Sequence, residues 1–510
     1  MRSSLSLQDQ FTYDLLSSDL SHSLKGTSFF YYNEVLSPSS GAQGQYPILM
    51  CEYTFRSKKD IEDYLTLLSL TPDYFTSLYQ LERERADRGL LMPDYSLRKT
   101  IKQCQTLITA DALSGHHHFL QTTFEERIQN AVKEKIITGE EASSYQKKNE
   151  SVLLHSVLPA YQTLSNNLST LLTKGKSSGG LCHVENGKQY YKWLLQETTG
   201  SSEDPEDIYQ ELTNDYIKNI GELREKAQLF SDSCTLTEEE FSYFPQNDPD
   251  LILDDLTERM ANDFPSIASI RTNTMTHVDV KHVSSSLEDY TAPAYYLTPP
   301  IDDVLNNVIY INDKNVPDGL QLYTTLAHEG YPGHLYQTVY YQLYSQSKNT
   351  PSIRSLLNYG GYAEGWALYT ELYSYEYAGD LLVEKTGKDS YRDLYSLFAC
   401  ERKTQLALLS LLDIGIHYYG FSYEKAEKIL QSYGITDTAK IREIYEYIEE
   451  EPANYPKYYW GYMEFMHLKE SATHYWANQY SDYRFHQFVL QSGPSDFTNL
   501  SKNLAKTAGK

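Results

Sequence analysis

The sequence predicts a mainly α-helical protein carrying one small antiparallel β-sheet, and three observations point there. Apolar residues recur at helical spacing along most of the 510 residues, as in Ile61, Tyr64, Leu65 and Leu68 followed by Tyr74, Leu78 and Leu81. Strand-like texture is confined to one region, where Val278, Val280 and Val283, then Ala294 to Leu297, then Val308 to Ile311 are separated by Pro293, Pro299-Pro300 and Asp302-Asp303. Directly after it, an apolar helical approach ends in His328-Glu329-Gly330-Tyr331-Pro332-Gly333-His334.

Taken in order, residues 6 to 24 alternate at helical spacing, and Gly26 with the Ser-Pro-Gly-rich stretch 37 to 44 forms a loop. Two helices fill 57 to 89, with Thr71-Pro72 as their joint. Met92-Pro93 opens a unit of helices reaching Leu172, interrupted between Asp111 and Phe119. His116, His117 and His118 lie in that interruption. Three consecutive histidines splay apart, and no carboxylate or cysteine sits at matching spacing, so they read as a solvated loop or helix start.

Ser177 to Gly180 opens a short extended element at Leu181 to Val184, and Asn186-Gly187 then signals a tight turn into Tyr190-Tyr191, so a small hairpin is expected. Its Cys182-His183 pair reads as packing rather than a ligand couple. The acidic run 201 to 207 reads as a solvated loop whose Asp or Glu caps a helix from 206 to about 230. A helix at 251 to 263 precedes the strand region. Within that region Val308 to Asn312 is the expected edge strand, either pairing with an extended peptide or bracing the helix that follows. That helix starts at Pro317-Asp318 with Leu322, Tyr323, Leu326 and Tyr331 as its apolar face. A second one, 351 to 378, carries Glu364, and core-forming helices follow at about 385 to 418, 422 to 432, 437 to 450 and 464 to 490.

Composition bounds the function. With 40% hydrophobic residues the chain can bury a large core, and one domain with two lobes, about 1 to 245 and 246 to 510, is expected because all the candidate chemistry lies in the second half. A net charge of −25 argues against nucleic acid and against anionic membrane surfaces. No run approaches the roughly 18 apolar residues of a membrane span, and the first ten residues lack the apolar core of a signal peptide. The chain as written reads as soluble, either cytoplasmic or the mature part of an exported or lipid-anchored protein. Five scattered cysteines form no C-x-x-C pair and read as buried thiols, leaving the redox compartment open. The 47 tyrosines suit the walls of a wet peptide groove, or reflect compositional bias. Oligomeric state leaves no trace.

The motif reads as half of a metal site. The usual zinc signature sets two histidines at i and i+4, on one helical face. Here Pro332 holds i+4, and His334 at i+6 would point roughly 120° away from His328 on an ideal helix. Pro332-Gly333 permits a local bulge or kink, a two-residue insertion within one helix, that turns His334 back. The other half is Tyr362-Ala-Glu-Gly-Trp-Ala-Leu-Tyr-Thr-Glu371, whose Glu364 and Glu371 nearly superpose on one face. His328, His334 and Glu364 with an open fourth position make a hydrolytic zinc set for one ion. Glu329 is then the general base that passes a proton to the leaving amine. Glu371 reads as a carboxylate that fixes a ligand histidine. The oxyanion donor is sought among Arg402, His417, Tyr458, Tyr459 and Tyr462.

These motifs resemble those of the bacterial domain-of-unknown-function 885 family, His-Glu-x-x-Pro-Gly-His followed by Glu-Gly-Trp-Ala-x-Tyr-x-Glu, without a mismatch. Gly180-Leu-Cys-His-Val-Glu-Asn-Gly-Lys-Gln-Tyr-Tyr191, Ala292 to Pro300 and Asp413-Ile-Gly-Ile-His417 extend the resemblance over most of the chain. The family is similar to gluzincin peptidases. That resemblance implies a two-lobed helical metallopeptidase-like fold with a central channel, and a peptidase acting on short peptides. It also implies that Tyr455-Pro-Lys-Tyr-Tyr-Trp-Gly-Tyr462 is the tyrosine and glycine cluster opposite the metal, favouring Tyr459 and Tyr462. A leader removed from the chain fits the same family. Two other functions use the same residues: a non-catalytic binder of metal and peptide, and a zinc amidase acting on non-peptide or cell-wall amides.

Overall fold

Side-chain caps and prolines set the helix boundaries in the N-terminal part of the chain. Ser57 and Asp60 close a reciprocal cap on helix Lys58–Ser69, and Thr138 with Glu141 does the same for Gly139–Val152. Pro72 occupies the second position of Thr71–Asp87, where its missing N–H is tolerated, so the expected joint is there. His118 caps Phe119–Lys133 by accepting from Leu120 N at 3.2 Å, and its other ring nitrogen meets Leu107 O at 2.9 Å. This is a computed structural model describing residues 2–507 except 177–178, 272–275, 284–287, 289–291 and 316–318. The expected start at Pro317-Asp318 and the Ser177-Ser178 part of the expected extended element lie outside the described residues.

Among the described residues the protein is mainly helical, 72%, with one three-stranded sheet. One buried cluster is built almost wholly from Leu36 to Leu171. A larger one joins Phe11 and Leu15 to residues between Ile252 and Leu504. Helices Gly187–Thr199 and Pro205–Ser233 bury Tyr190, Tyr191, Leu195, Ile208 and Leu212 against side chains of Ser390–His417 and Asn454–Trp476. The segment 187–233 thus packs with the C-terminal part of the chain.

Several expectations are corrected. The sheet is mixed, with order β1 (His277–His282), β3 (Asn306–Ile311), β2 (Ala294–Leu297). β1 runs parallel to β3, from His277 opposite Asn306 to His282 opposite Ile311, while β2 runs antiparallel to it. Val308 to Asn312 is therefore no edge. β3 carries the buried Ile309 and Ile311, and the most apolar strand takes the middle, where both sides are covered.

The expected hairpin is absent. Leu181–His183 forms a single tight helical turn, and Asn186, at φ 53°, leads into helix Gly187–Thr199. A Cβ on Gly187 would come within 1.6 Å of Leu181 O, so the Asn-Gly pair serves a close chain crossing into a helix. Asp204 stands at the N-cap of Pro205–Ser233 without a side-chain cap and instead meets Lys192 Nζ at 2.6 Å.

The Glu364 helix is Gly360–Thr386 and starts nine residues later than expected, after a short turn at Ser352–Leu356. The expected last helix divides into Asn454–Trp476 and Asp482–Ser492, and Pro456 sits in the first turn of the former.

Candidate metal centre

Helix Leu320–Glu329 buries Leu322, Tyr323, Leu326 and Ala327, which aims His328 inward. The expected bulge within one helix is instead a full interruption. The helix stops at Glu329, the chain turns through Gly330, a cis Tyr331-Pro332 bond and Gly333, and a new helix begins at the second histidine, His334–Ser347. A Cβ on Gly333 would lie 1.8 Å from His328 O, so only glycine lets the second helix begin against the end of the first. The imidazole rings stand 4.9 Å apart at 84°.

Close crossing of two further helices brings the carboxylates in. A Cβ on Gly365 would lie 2.3 Å from the Gly461 carbonyl carbon, and one on Gly461 would lie 2.4 Å from Gly361 O. Three glycines therefore let the Glu364 helix and Asn454–Trp476 pack backbone to backbone. Glu364 Oε2 then lies 3.6 Å from His328 Nε2 and 3.3 Å from His334 Nε2. Zinc bonds of 2.0–2.1 Å in a tetrahedron separate neighbouring donor atoms by about 3.4 Å, so these edges fit the ion.

The surrounding bonds orient that set. Glu371 Oε2 lies 3.0 Å from His328 Nδ1, which leaves Nε2 to face Glu364. Its Oε1 accepts from Arg402 Nε at 2.8 Å. Lys457 Nζ lies 3.6 Å from Glu364 Oε1. Glu329 offers a carboxylate oxygen within 4.8 Å of donor atoms on both histidines, but its Oε2 accepts from Tyr296 N at 2.8 Å. Glu364, one of whose oxygens faces both Nε2 atoms, could therefore serve as a third donor, with Glu329 beside it. The N–H of Tyr296 belongs to β2, the strand beside the first motif helix.

The field in the pocket favours a cation. Burial opposes a charge on His328, yet Glu364 and Glu371 outweigh it and push its pKa up to about 10. Burial would raise Glu371, but Arg402 first and His328 next hold it down at about 2. Burial raises Glu329 above the usual carboxylate range, with the two histidines opposing. The site is mostly buried and keeps a small solvent exposure, 17% for the His334 side chain and 19% for Glu364.

Of the oxyanion candidates, Tyr458 lies directly against the histidines, and Arg402 reaches them through Glu371. Its ring stacks on His328 at 6.2 Å, and its hydroxyl sits in the fields of Glu364 and Glu329. The two favoured tyrosines are placed elsewhere. Tyr459 donates to Asp215 Oδ2 at 2.5 Å and accepts from Asn219 Nδ2 at 2.7 Å. With Tyr462, whose hydroxyl lies in the field of Asp215 and Glu222, it lines a separate cavity of about 400 Å³. His417 is buried with both ring nitrogens committed, Nδ1 accepting from Leu181 N at 3.2 Å and Nε2 meeting Ile448 O at 2.7 Å. Arg402 is held by Glu371. Lys457 and the Tyr296 N–H escaped the sequence reading, because a lone lysine and a backbone donor carry no spacing signal.

A family model described as bacterial protein of unknown function (DUF885) matches residues 1–503. No curated protein matches. Among solved structures, a protein of Colwellia psychrerythraea described as a "putative lipoprotein" is 21% identical with a TM-score of 0.77, covering 93% of this chain and 80% of that one. A Shewanella oneidensis protein, described in the same words and as of unknown function, is 16% identical with a TM-score of 0.62, covering 98% and 88%. At these identities the likeness is one of fold.

Proposed function

For this chain, which belongs to the bacterial DUF885 family, we propose a zinc-dependent peptidase that hydrolyses peptide bonds of short peptides in a gluzincin-like manner. The observation that carries it is the single Glu364 oxygen set 3.3 and 3.6 Å from the Nε2 atoms of His334 and His328. His328, His334 and Glu364 would hold the ion. A zinc ion held there would supply Lewis acidity for a carbonyl and for water.

The chain's own groups do the rest. Glu329 keeps one oxygen on Tyr296 N, which leaves the other to take a proton from water as the water oxygen attacks the carbonyl carbon. The same carboxyl returns that proton to the amide nitrogen as the C–N bond breaks. Burial pushes its pKa upward, which strengthens the carboxylate as a base. The Tyr458 hydroxyl donates to the oxygen that gains charge. Lys457 steadies the carboxylate of Glu364 from its far oxygen. A location as an exported or lipid-anchored protein agrees with the lipoprotein description of the two similar structures.

The test is metal analysis of the purified chain followed by mass spectrometry of a digested peptide mixture, repeated with Glu329→Gln. The expected result is one zinc per chain in both proteins and cleavage only in the first. A zinc-loaded wild type that cleaves nothing, or a Glu329→Gln protein as active as the wild type, overturns the reading.

A further inference from the structure

The groups packed around the centre are mostly anionic, with Glu329, Glu364 and Glu371 around two histidines. A substrate bearing a free carboxylate would be repelled there unless a cation received it. Among the described residues, two cations border the cluster. Lys457 is engaged with Glu364 Oε1. Arg402, from the adjacent helix Ser390–His417, is engaged through Nε alone.

Among the described residues no acceptor lies on either terminal nitrogen of Arg402, although 37% of its side chain is exposed. The guanidinium is thus anchored at one edge and open at the other. Two parallel N–H groups on a rigid plane match a carboxylate in a way that a lysine ammonium does not. Tyr458, whose ring stacks on His328 at 6.2 Å, stands within the electrostatic reach of Arg402, Glu364 and Glu329, so the guanidinium lies beside the cluster. With Nδ1 of His328 3.0 Å from Glu371, Arg402 Nε 2.8 Å beyond that carboxylate and the ring turning Nε2 toward Glu364, Arg402 Nε lies within about 10 Å of the donor nitrogen, a gap spanned by one or two residues of extended chain and the hydrogen bond to their carboxylate.

Resting on the peptidase reading, we infer that Arg402 receives the free C-terminal carboxylate of the substrate, so that the enzyme is a carboxypeptidase releasing one or two residues. The carboxylate exchanges water for two charge-assisted hydrogen bonds and takes no part in bond breaking. Arg402 is thereby a specificity residue as well as the counter-charge of Glu371.

The experiment uses the full zinc-loaded chain and a pair of short peptides of one sequence, one ending in a free carboxylate and the other in a carboxamide, with products identified by mass spectrometry. The free acid should lose its last residue or dipeptide, with kcat/KM at least about 100-fold above that of the amide. Arg402→Gln should bring the two peptides within a few-fold of each other, chiefly by raising KM for the acid, and Arg402→Lys should recover part of the preference. Equal cleavage of acid and amide by the wild type, or cleavage at internal bonds, overturns the inference and leaves the peptidase reading standing. No cleavage of either peptide by zinc-loaded protein removes the peptidase reading itself. The acid-to-amide ratio of the wild type needs no variant, so poor folding of Arg402→Gln does not block the test. If Lys457→Met rather than Arg402→Gln abolishes the preference, the carboxylate sits on Lys457 and the assignment to Arg402 fails.

Discussion

Glu371 sets one carboxylate oxygen 3.0 Å from Nδ1 of His328, seven residues along the same helix from Glu364. The helix that would supply a metal donor therefore also supplies the carboxylate that orients another donor. Such an outer carboxylate selects the ring tautomer and strengthens the imidazole as a ligand. Glu371→Gln is expected to weaken zinc binding about 10- to 100-fold, with activity returning when zinc is added in excess. Titration against a competing chelator at fixed pH measures this, and an unchanged zinc affinity in Glu371→Ala would sink the orienting role.

Tyr458 and Tyr459 are neighbours in sequence with separate expected effects. Tyr458→Phe should lower kcat by about 100-fold while zinc content and KM stay near wild type, as for loss of one donor to a developing oxyanion. Tyr459→Phe should leave kcat within a few-fold and cost about 1.5–3 kcal/mol of stability, because its buried hydroxyl bonds the charged Asp215. Steady-state kinetics and urea denaturation of both variants separate these outcomes, and the reverse pattern would restore Tyr459 as the donor.

The helix crossing that delivers Glu364 tolerates no added carbon. Gly461→Ala places a Cβ 2.4 Å from Gly361 O, and overpacking of this kind costs about 1–3 kcal/mol. The expected signature is a lower melting temperature together with weaker zinc binding, since relief of the clash moves the Glu364 helix away from the histidines. Thermal unfolding with and without zinc checks it. Loss of stability at unchanged zinc affinity would show that the crossing does not control the centre.

Asp413 provides a pH test. It is buried, accepts from Tyr191 Oη at 2.7 Å and from Ala453 N at 3.0 Å, and burial pushes its pKa up to about 7 from 3.8. Between those values the folded chain holds a proton that the unfolded chain has lost, so this group's contribution to stability falls as pH rises from about 4 to 7. Asp413→Asn keeps an acceptor oxygen and removes the titration. The stability of the variant minus that of the wild type should therefore rise with pH, by at most about 1.4 kcal/mol per pH unit within that window. Urea denaturation at pH 5, 6, 7 and 8 reads the slope, and a flat difference rules the account out.

His417 illustrates a structural histidine among site candidates. With its pKa lowered by burial to about 3, it stays neutral across the physiological range while tying Leu181 N to Ile448 O. His417→Ala should cost about 2 kcal/mol or more, through two buried backbone groups left unpaired, and leave zinc content unchanged. Metal analysis of the variant decides whether the residue has any part in the centre.

The sequence by itself determined the helical character, the position of the strand region and the grouping of His328, His334 and Glu364. The first two rest on local side-chain periodicity and the grouping on two motifs that match a family pattern, whereas the full break between the two histidines and the helix crossing that brings Glu364 to them are tertiary. Only the tertiary structure decided which strand lies in the middle, that the Asn186-Gly187 turn enters a helix, and that Tyr458 rather than Tyr459 or Tyr462 meets His328. Between Tyr455 and Tyr462 there are four further tyrosine or tryptophan side chains or glycine positions spread around the helix, so spacing could not choose a face. The choice was made by Gly361, Gly365 and Gly461, three residues without side chains that set how closely two distant helices approach and therefore which tyrosine reaches the cluster.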